Sequence, residues 1–482
     1  MRLVLPTAAL GLGFAALFLS TPGTVFNWDA LFLGTCLRSE AWHLLMPPYR
    51  FLAALPAMAW WATVQDLFPD PLAAVQVLNA LLSAGTLSAF FVLLARQTRS
   101  LPSALLATLG AGVSMGFWFH ATHPKWYGFT NLCLVGVLLG LQGWSRRPAT
   151  SARTAWLGVA AGLVVLVHGT FVSLAAALAV VVGLRSGRRH GALFLAMTAL
   201  VTLLGVGASL ALARQNLPEG ALARTVSIDV QARRLLHPDL LRPFQVLPLL
   251  LSGSRVPSSE VLGLPGWTGP AAPWVLGLTV LGLGFVARGF REASPLEQSL
   301  GLFALFHLGI LALVDPPNEN LAALVLAFWG LSAGALGRHA PAAVAAITAL
   351  ALVNLCLFIE PNRWPERNPH LVFVREALVW VGPDGLLLSR KALRTDYSRY
   401  ALGERVVLLD PESPVSRFHA RRSLQRALAE GTRVVADPIL FERGDGWADL
   451  HPEAIAEFFR ETSWEPLAPG VPVLKMRNPG QS

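Results

Sequence analysis

The chain has 482 residues, of which 54% are hydrophobic and only 14% charged, and its mean hydropathy is +0.53. A soluble protein of this length carries far more charge on its surface, so the composition excludes a soluble enzyme and indicates a polytopic α-helical membrane protein. The formal charge of +9 lies in residues 1–359, which hold 21 Lys and Arg against 12 Asp and Glu, whereas residues 360–482 hold 17 of each. A basic excess confined to the apolar part carries topological information and gives no support to nucleic-acid binding.

The apolar segments set the number of predicted spans. A hydrocarbon core of roughly 30 Å needs about 20 apolar residues, and about eleven segments approach or reach that length. They lie at approximately 3–20, 73–95, 102–119, 127–144, 154–168, 170–184, 191–213, 272–287, 296–314, 320–336 and 340–358. The first is predicted to be an uncleaved span, because no convincing small-residue cleavage site follows it.

Arginines fall in every second loop of this pattern and predict the orientation. The arginine-bearing segments hold Arg2, then Arg96 and Arg99, then Arg146, Arg147 and Arg153, then Arg185, Arg188 and Arg189, then Arg288 and Arg291, then Arg338. By the positive-inside rule these loops are cytoplasmic. The N-terminus is then cytoplasmic, and the other loops face the periplasm of a bacterial inner membrane.

The two longest outer loops are predicted at 21–72 and 214–271. Within the first, the apolar stretch 50–68 contains Trp60 and Trp61. Counting it as a span would move Arg96 to the outer side, so it is predicted to be a helix lying at the membrane interface.

From about residue 360 the hydrophobic period changes. Short buried strands at 405–410 and 433–439 alternate with helices at 416–430 and 452–462. This alternation predicts a small extracytoplasmic α/β domain at 360–482, following a transmembrane domain at 1–359.

The first outer loop holds the first group of candidate site residues. Asp29 is suited to be a general base or a metal ligand, and a helix N-cap is the structural alternative. Glu40 and His43 lie three residues apart and would share one face of a helix, where they would be placed to bind a sugar or phosphate. The structural alternative is a solvated loop. Arg50 follows a Pro-Pro turn and either binds a lipid phosphate or extends to the interface.

The second outer loop holds His120, His123, Lys125 and Tyr127. Lys125 is one of three lysines in the chain and lies on the outer side, against the general bias. A lysine beside two histidines is suited to bind a phosphate. The histidines specify no third ligand for a metal, and Trp126 with Tyr127 equally fits an interfacial anchor.

A third outer loop, 315–320, contains Asn318 and Glu319. Either residue is suited to cap the following helix, and the loop is also placed to close over a substrate. Nothing in the sequence resembles a nucleotide-binding, haem or zinc motif.

These residues resemble the GT-C superfamily of membrane glycosyltransferases, which use polyprenyl-phosphate sugars. Residues 27–30, Asn-Trp-Asp-Ala, stand where that superfamily has an acid soon after the first span. His43 with residues 47–50 is similar to the His-Pro-Pro-Gly-Tyr-Pro stretch of the branch related to protein O-mannosyltransferases. Residues 117–119 and 125–128 are similar to the Phe-Trp and Ala-Glu-Val-Tyr segments of that branch, with Lys125 near the usual glutamate.

The resemblance implies transfer of a sugar from a polyprenyl-phosphate donor to a glycan, lipid or protein acceptor on the extracytoplasmic face. Asp29 would deprotonate the acceptor, and Lys125, Arg50 or a loop arginine would stabilise the leaving phosphate. Many relatives have an Asp-Glu pair where this chain has Asp29-Ala30, so the chain lacks a pair of carboxylates to bind a divalent cation. No cofactor is predicted.

The alternative function is that of a non-catalytic transporter or a scaffold for envelope glycan assembly. A transporter is expected to show repeats and polar groups within its spans, which the sequence lacks.

Overall fold

The computed structural model describes residues 3–24, 26, 28–40, 52–216, 292–313, 321–389, 393–409, 414–437, 440, 464–466 and 474–476. These residues form two compact units. One comprises residues 1–26 with 36–363, and the other comprises residues 27–35 with 364–482. The predicted boundary at 359/360 thus lies four residues before that division, and residues 27–35 group with the tail.

The first unit is built from long apolar helices. Its described helices are α1 (Val4–Ser20), α2 (Trp28–Arg38, which continues from the second unit), α3 (Leu55–Val64), α4 (Pro71–Thr98), α5 (Leu101–Val113), α6 (Met115–Ala121), α7 (Tyr127–Ser145), α8 (Ser151–Val167), α9 (Val172–Ser186), α10 (Arg188–Asn216), α11 (Pro295–Leu313), α12 (Leu321–Leu336) and α13 (Ala340–Asn354). A π-helical turn at Leu355–Ile359 and a short turn at Glu360–Asn362 extend α13.

Several of these helices are suited to cross a membrane. By length and composition, the described part of the chain has five such segments, or six if the bent pair α5–α6 counts as one span. Two shorter apolar helices, α1 and α8, accompany them. The structure therefore confirms a multi-pass helical membrane protein. The predicted span 272–287 and most of the predicted loop 214–271 lie outside the described residues.

The longest of these segments, 322–362, is two spans rather than one. Trp329 packs against Gly110, near the end of α5, and its indole donates to Ser114. Gly337 packs against Ser103 at the opposite end of α5, and the Asn354 amide then donates to the Val113 carbonyl, at 2.8 Å. The chain therefore runs down α5 and returns along it, with its reversal near Gly337. This reversal agrees with the predicted spans 320–336 and 340–358.

The predicted straight span 102–119 is broken at Ser114, where α5 and α6 meet at 65°. Ser114 has an extended backbone, its hydroxyl donates to the Gly110 carbonyl, and it accepts the Trp329 indole. The Asn354 amide satisfies the carbonyl of Val113 next to the break. Broken helices are tolerated at membrane depth when neighbours satisfy the freed backbone groups, and both partners come from distant parts of the sequence.

The arginines of the predicted cytoplasmic loops gather at one end of this bundle. Arg146 donates to the carbonyl of Arg96, joining the ends of α7 and α4. Arg185 donates to the carbonyl of Ala293, just before α11, and Gln97 donates to Ser294. Helix α7 has 19 residues, so at about 1.5 Å per residue its two ends lie roughly 28 Å apart. The opposite end of the bundle carries the second predicted outer loop.

The second unit contains a five-stranded sheet. Its strands are β1 (Leu386–Ser389), β2 (Val406–Leu408), β3 (Val434–Ala436), β4 (Trp464–Pro466) and β5 (Leu474–Met476), in the order β2-β1-β3-β5-β4. The strands β2, β1 and β3 are parallel, whereas β5 is antiparallel to both β3 and β4.

Helices cover both faces of this sheet. Leu388, Val434 and Ala436 pack with the buried face of α16 (Pro414–Ala429). Leu387 and Val435 point the other way and pack with α14 (Pro369–Val381) and the end of α15 (Leu393–Leu402). Neighbouring residues on each strand therefore enter different cores, as the period of two in a strand requires.

Candidate active site

Two amides on α4 hold the backbone of the second outer loop. The Asn79 side chain donates to the carbonyls of His120 and His123, and its oxygen accepts the Gly128 N–H at 2.6 Å. One turn earlier, Gln76 donates to the Thr122 carbonyl at 2.7 Å. Positions three apart share one face of a helix, so this face of α4 fixes the path of residues 120–128.

The same end of the bundle ties in the segment after α1. Gln76 also donates to the Gly23 carbonyl at 2.7 Å, and the Gly23 N–H donates to the Thr122 carbonyl at 3.2 Å. The hydroxyl of Thr24 donates to the Asn362 carbonyl. The chain that leaves the first helix is thus anchored against the second outer loop.

The loop packs its imidazole and aromatic rings together. The ring centroids of His120 and Tyr127 lie 4.4 Å apart, and those of Tyr127 and His168 lie 6.3 Å apart. The ring of His123 lies 3.7 Å from that of Phe119, and its Nδ1 is 2.6 Å from the Phe119 carbonyl. Burial of these groups makes the cluster a low-dielectric site in which polar contacts are strong.

Lys125 brings a positive charge into this cluster. Its side chain is 6% exposed, and its Nζ lies 3.4 Å from the Tyr127 hydroxyl and 4.9 Å from the centre of the Tyr127 ring. Burying an ammonium is costly unless it is paired or faces an aromatic ring, which makes Lys125 a candidate functional residue. An anionic oxygen is the ligand that this charge favours.

His120 supplies a second polar group at the same place. It is 8% exposed, and within the described residues its Nδ1 has no hydrogen-bond partner. A buried ring nitrogen without a partner retains capacity for one more hydrogen bond, which a ligand oxygen or hydroxyl would satisfy. The predicted residues His120, His123, Lys125 and Tyr127 are therefore brought together around one small polar cluster.

Asp29 lies in the first turn of α2 and is half-buried. The positive end of the helix dipole favours a carboxylate at this position. Asp29 belongs to the second unit, whereas the Lys125 cluster belongs to the first.

The structure brings none of the other predicted site residues that it describes into this cluster. Glu40 is exposed just after α2, with a left-handed backbone at φ 55°. His43, Arg50, Asn318 and Glu319 lie outside the described residues.

Metal and thiol chemistry receive no support from the described residues. Among them, no group of three or more His, Cys, Asp or Glu side chains is arranged to hold a metal ion. Burial raises the pKa of the Cys36 thiol to about 11, so this thiol is protonated at neutral pH and is a poor nucleophile.

Comparison with solved structures identifies the fold. The first match is ArnT from Cupriavidus metallidurans bound to undecaprenyl phosphate, with a TM-score of 0.62 and 14% identity over 99% of this chain and 98% of that one. This chain has the ArnT fold. ArnT in its apo state matches with a TM-score of 0.60 and 14% identity, covering 98% of this chain and 97% of that one.

An archaeal oligosaccharyltransferase, AglB from Archaeoglobus fulgidus, aligns with 13% identity and a TM-score of 0.49 over 98% of this chain and 74% of that one. No protein-family model matches the sequence. No curated protein matches it either. The fold shared with ArnT agrees with the fold that the sequence resemblance implies.

Within the ArnT fold, sequence reasoning missed the residues that hold the loop. Gln76 and Asn79 are polar residues in the first turns of an otherwise apolar span, three positions apart. That spacing was a usable signal, because a polar side chain facing a bundle interior needs a partner. The partners themselves are main-chain groups about 40 residues away, which no local pattern identifies.

Removing the Asn79 amide is expected to destabilise this ArnT-fold bundle. Asn79→Leu leaves at least one buried carbonyl and the Gly128 N–H unpaired, at about 1–3 kcal/mol for each orphaned group. Thermal unfolding of the purified protein in detergent should show a clearly lower midpoint. The matched control is Asn131→Leu on α7, since Asn131 is equally buried and, within the described part, its side-chain oxygen has no partner. Equal midpoints for the two variants would contradict this assignment.

Proposed function

We propose that this chain is an integral membrane glycosyltransferase of the bacterial inner membrane. It moves a sugar from a polyprenyl-phosphate donor to an acceptor on the extracytoplasmic face. The observation that carries the proposal is the buried Lys125 with His120 and Tyr127, at the bundle end opposite the arginines, in a chain with the ArnT fold. By the positive-inside rule, that end faces the periplasm.

The proposed reaction is a single displacement. Asp29 takes the proton of the acceptor hydroxyl while the acceptor oxygen forms a bond to the anomeric carbon. The bond from that carbon to the phosphate oxygen breaks, and polyprenyl phosphate leaves with the electron pair. The configuration at the anomeric carbon inverts.

Lys125 would stabilise the leaving phosphate. Negative charge grows on the bridging oxygen as the bond breaks, so a cation already held in a dry site contributes most in the transition state. ArnT itself has been solved with undecaprenyl phosphate bound, which supports a phosphate lipid as the donor carrier. Arg50 and a loop arginine remain proposed partners of the same phosphate, and Glu40, His43, Asn318 and Glu319 remain proposed contacts of sugar or acceptor.

The test is turnover by the purified protein with a panel of polyprenyl-phosphate hexoses and pentoses. We expect polyprenyl phosphate to be released from one donor class, in proportion to enzyme, when an acceptor extract of bacterial envelope is present. A matched panel of polyprenyl-diphosphate sugars controls for non-specific hydrolysis. Absence of release from every donor would favour the transporter or scaffold alternative.

A further inference from the structure

A groove reaches the arginine end of the bundle. An open groove of about 760 Å³ runs between α7 and α8. Gly136, Gly140 and Gly143 line it along one face of α7, and Trp156, which is 73% exposed, lines it from α8. Because glycine has no side chain, that face of α7 leaves room for a long apolar chain.

Four arginines line the same groove. They are Arg96, Arg146, Arg147 and Arg153. Arg146 donates to the Arg96 carbonyl at 3.0 Å and Arg153 donates to the Pro148 carbonyl at 3.0 Å, so two of the guanidinium groups are held by backbone contacts. Both contacts are to neutral carbonyl oxygens and leave the positive charges uncompensated.

Among the residues that the structure describes, no carboxylate lines this groove, and residues 71–218 contain neither Asp nor Glu. Glu297, at the start of α11, accepts from the N–H and the hydroxyl of Ser294 and so caps its own helix. Within the described part of the chain, none of the four arginines forms an ion pair. An anion with an apolar tail would complement both the arginines and the glycine face of α7.

We propose that this groove binds an anionic glycerophospholipid of the bilayer. Its phosphate lies among Arg96, Arg146, Arg147 and Arg153, and one acyl chain lies along the glycine face of α7. A free phosphate would leave the apolar length of the groove empty, and a zwitterionic lipid would bring a second positive charge to the arginines. Basic pockets between helices on the cytoplasmic side are suited to anionic headgroups, which are abundant in that leaflet. The arginines of the groove and the Lys125 cluster lie at opposite ends of α7, so the proposed headgroup position is separate from the candidate active site.

The test is native mass spectrometry of the purified full chain titrated with phosphatidylglycerol or phosphatidylcholine of the same acyl composition. We expect phosphatidylglycerol to bind more tightly. The double variant Arg146→Gln, Arg147→Gln should weaken the binding of phosphatidylglycerol by about thirtyfold. Each arginine near the headgroup contributes a similar share of the binding free energy, and two such shares together give this factor. The charge-matched control is Arg188→Gln, Arg189→Gln, whose arginines do not line the groove. Equal affinity for the two lipids, or equal loss in both double variants, would overturn the proposal.

A second variant fills the groove and keeps every arginine. A Cβ added at Gly136 or Gly143 meets nothing within 4 Å, so Gly136→Leu, Gly143→Leu is compatible with the fold. It should also remove phosphatidylglycerol binding, whereas Gly207→Leu on α10, where a Cβ likewise meets nothing within 4 Å, should not. Loss of polyprenyl-phosphate binding, with phosphatidylglycerol binding retained, in the filled variant would overturn the stated occupant. Retained lipid binding in the filled variant would overturn the groove as the site.

Discussion

Asp29→Asn is expected to lower kcat for sugar transfer by about 10²- to 10⁴-fold, which is the usual contribution of a general base. Asparagine keeps the size of the side chain and its place in the first turn of α2, but it cannot accept the proton of the acceptor hydroxyl. The measurement is release of polyprenyl phosphate by purified protein with saturating donor.

The matched control for this substitution is Asp66→Asn. Asp66 is exposed between α3 and α4, and the proposed reaction assigns it no role. It should keep the wild-type rate, while thermal unfolding should show both variants folded. Full activity in Asp29→Asn would remove Asp29 from the mechanism.

Lys125→Met is expected to cause the second large loss, a fall in kcat/KM of about 10²- to 10³-fold, comparable with removal of one preorganised donor from a developing anion. Methionine preserves much of the side-chain volume beside Tyr127 and removes the charge. The loss should appear both in kcat and in the affinity for polyprenyl phosphate, because the phosphate is present in substrate and product.

Product binding separates the two assignments. Inhibition by polyprenyl phosphate should weaken in Lys125→Met and remain in Asp29→Asn, since of these two residues the lysine is the one proposed to contact the phosphate. Lys475→Met in strand β5 removes one of the other two lysines and should change neither rate nor inhibition. Unchanged inhibition in Lys125→Met would contradict a phosphate contact.

The sequence predicts the helices of the bundle closely because their period and length depend on local composition. The predicted span 127–144 ends one residue before α7 does, and the predicted span 296–314 is shifted by one residue from α11. The gathering of the arginines at one end also follows from sequence, since charges avoid the hydrocarbon core. The break at Ser114 was not predictable, because it depends on Trp329 and Asn354, more than 200 residues away.

The candidate site was predictable as a set of residue types but not as a geometry. His120, His123, Lys125 and Tyr127 are close in sequence, so their clustering follows from a short loop. The contact of Tyr127 with His168 depends on how α8 ends beside α7.

In the second unit, the strand Val406–Leu408 falls inside the predicted strand 405–410. The buried Asp437, which accepts from the Ser389 hydroxyl at 2.7 Å, gives no local signal.

The amides of Gln76 and Asn79 contact the second outer loop only through its main-chain atoms. A loop held in this way keeps its path whatever side chains it carries, provided that position 128 remains glycine, where a Cβ would lie 2.7 Å from the Asn79 carbonyl oxygen. On the proposed function, side chains of this loop other than that of Lys125 can therefore change to suit a new donor while the support on α4 stays the same. Such a division separates a constant support from a variable lining. It also marks this loop as the segment to graft when donor preference is to be redesigned.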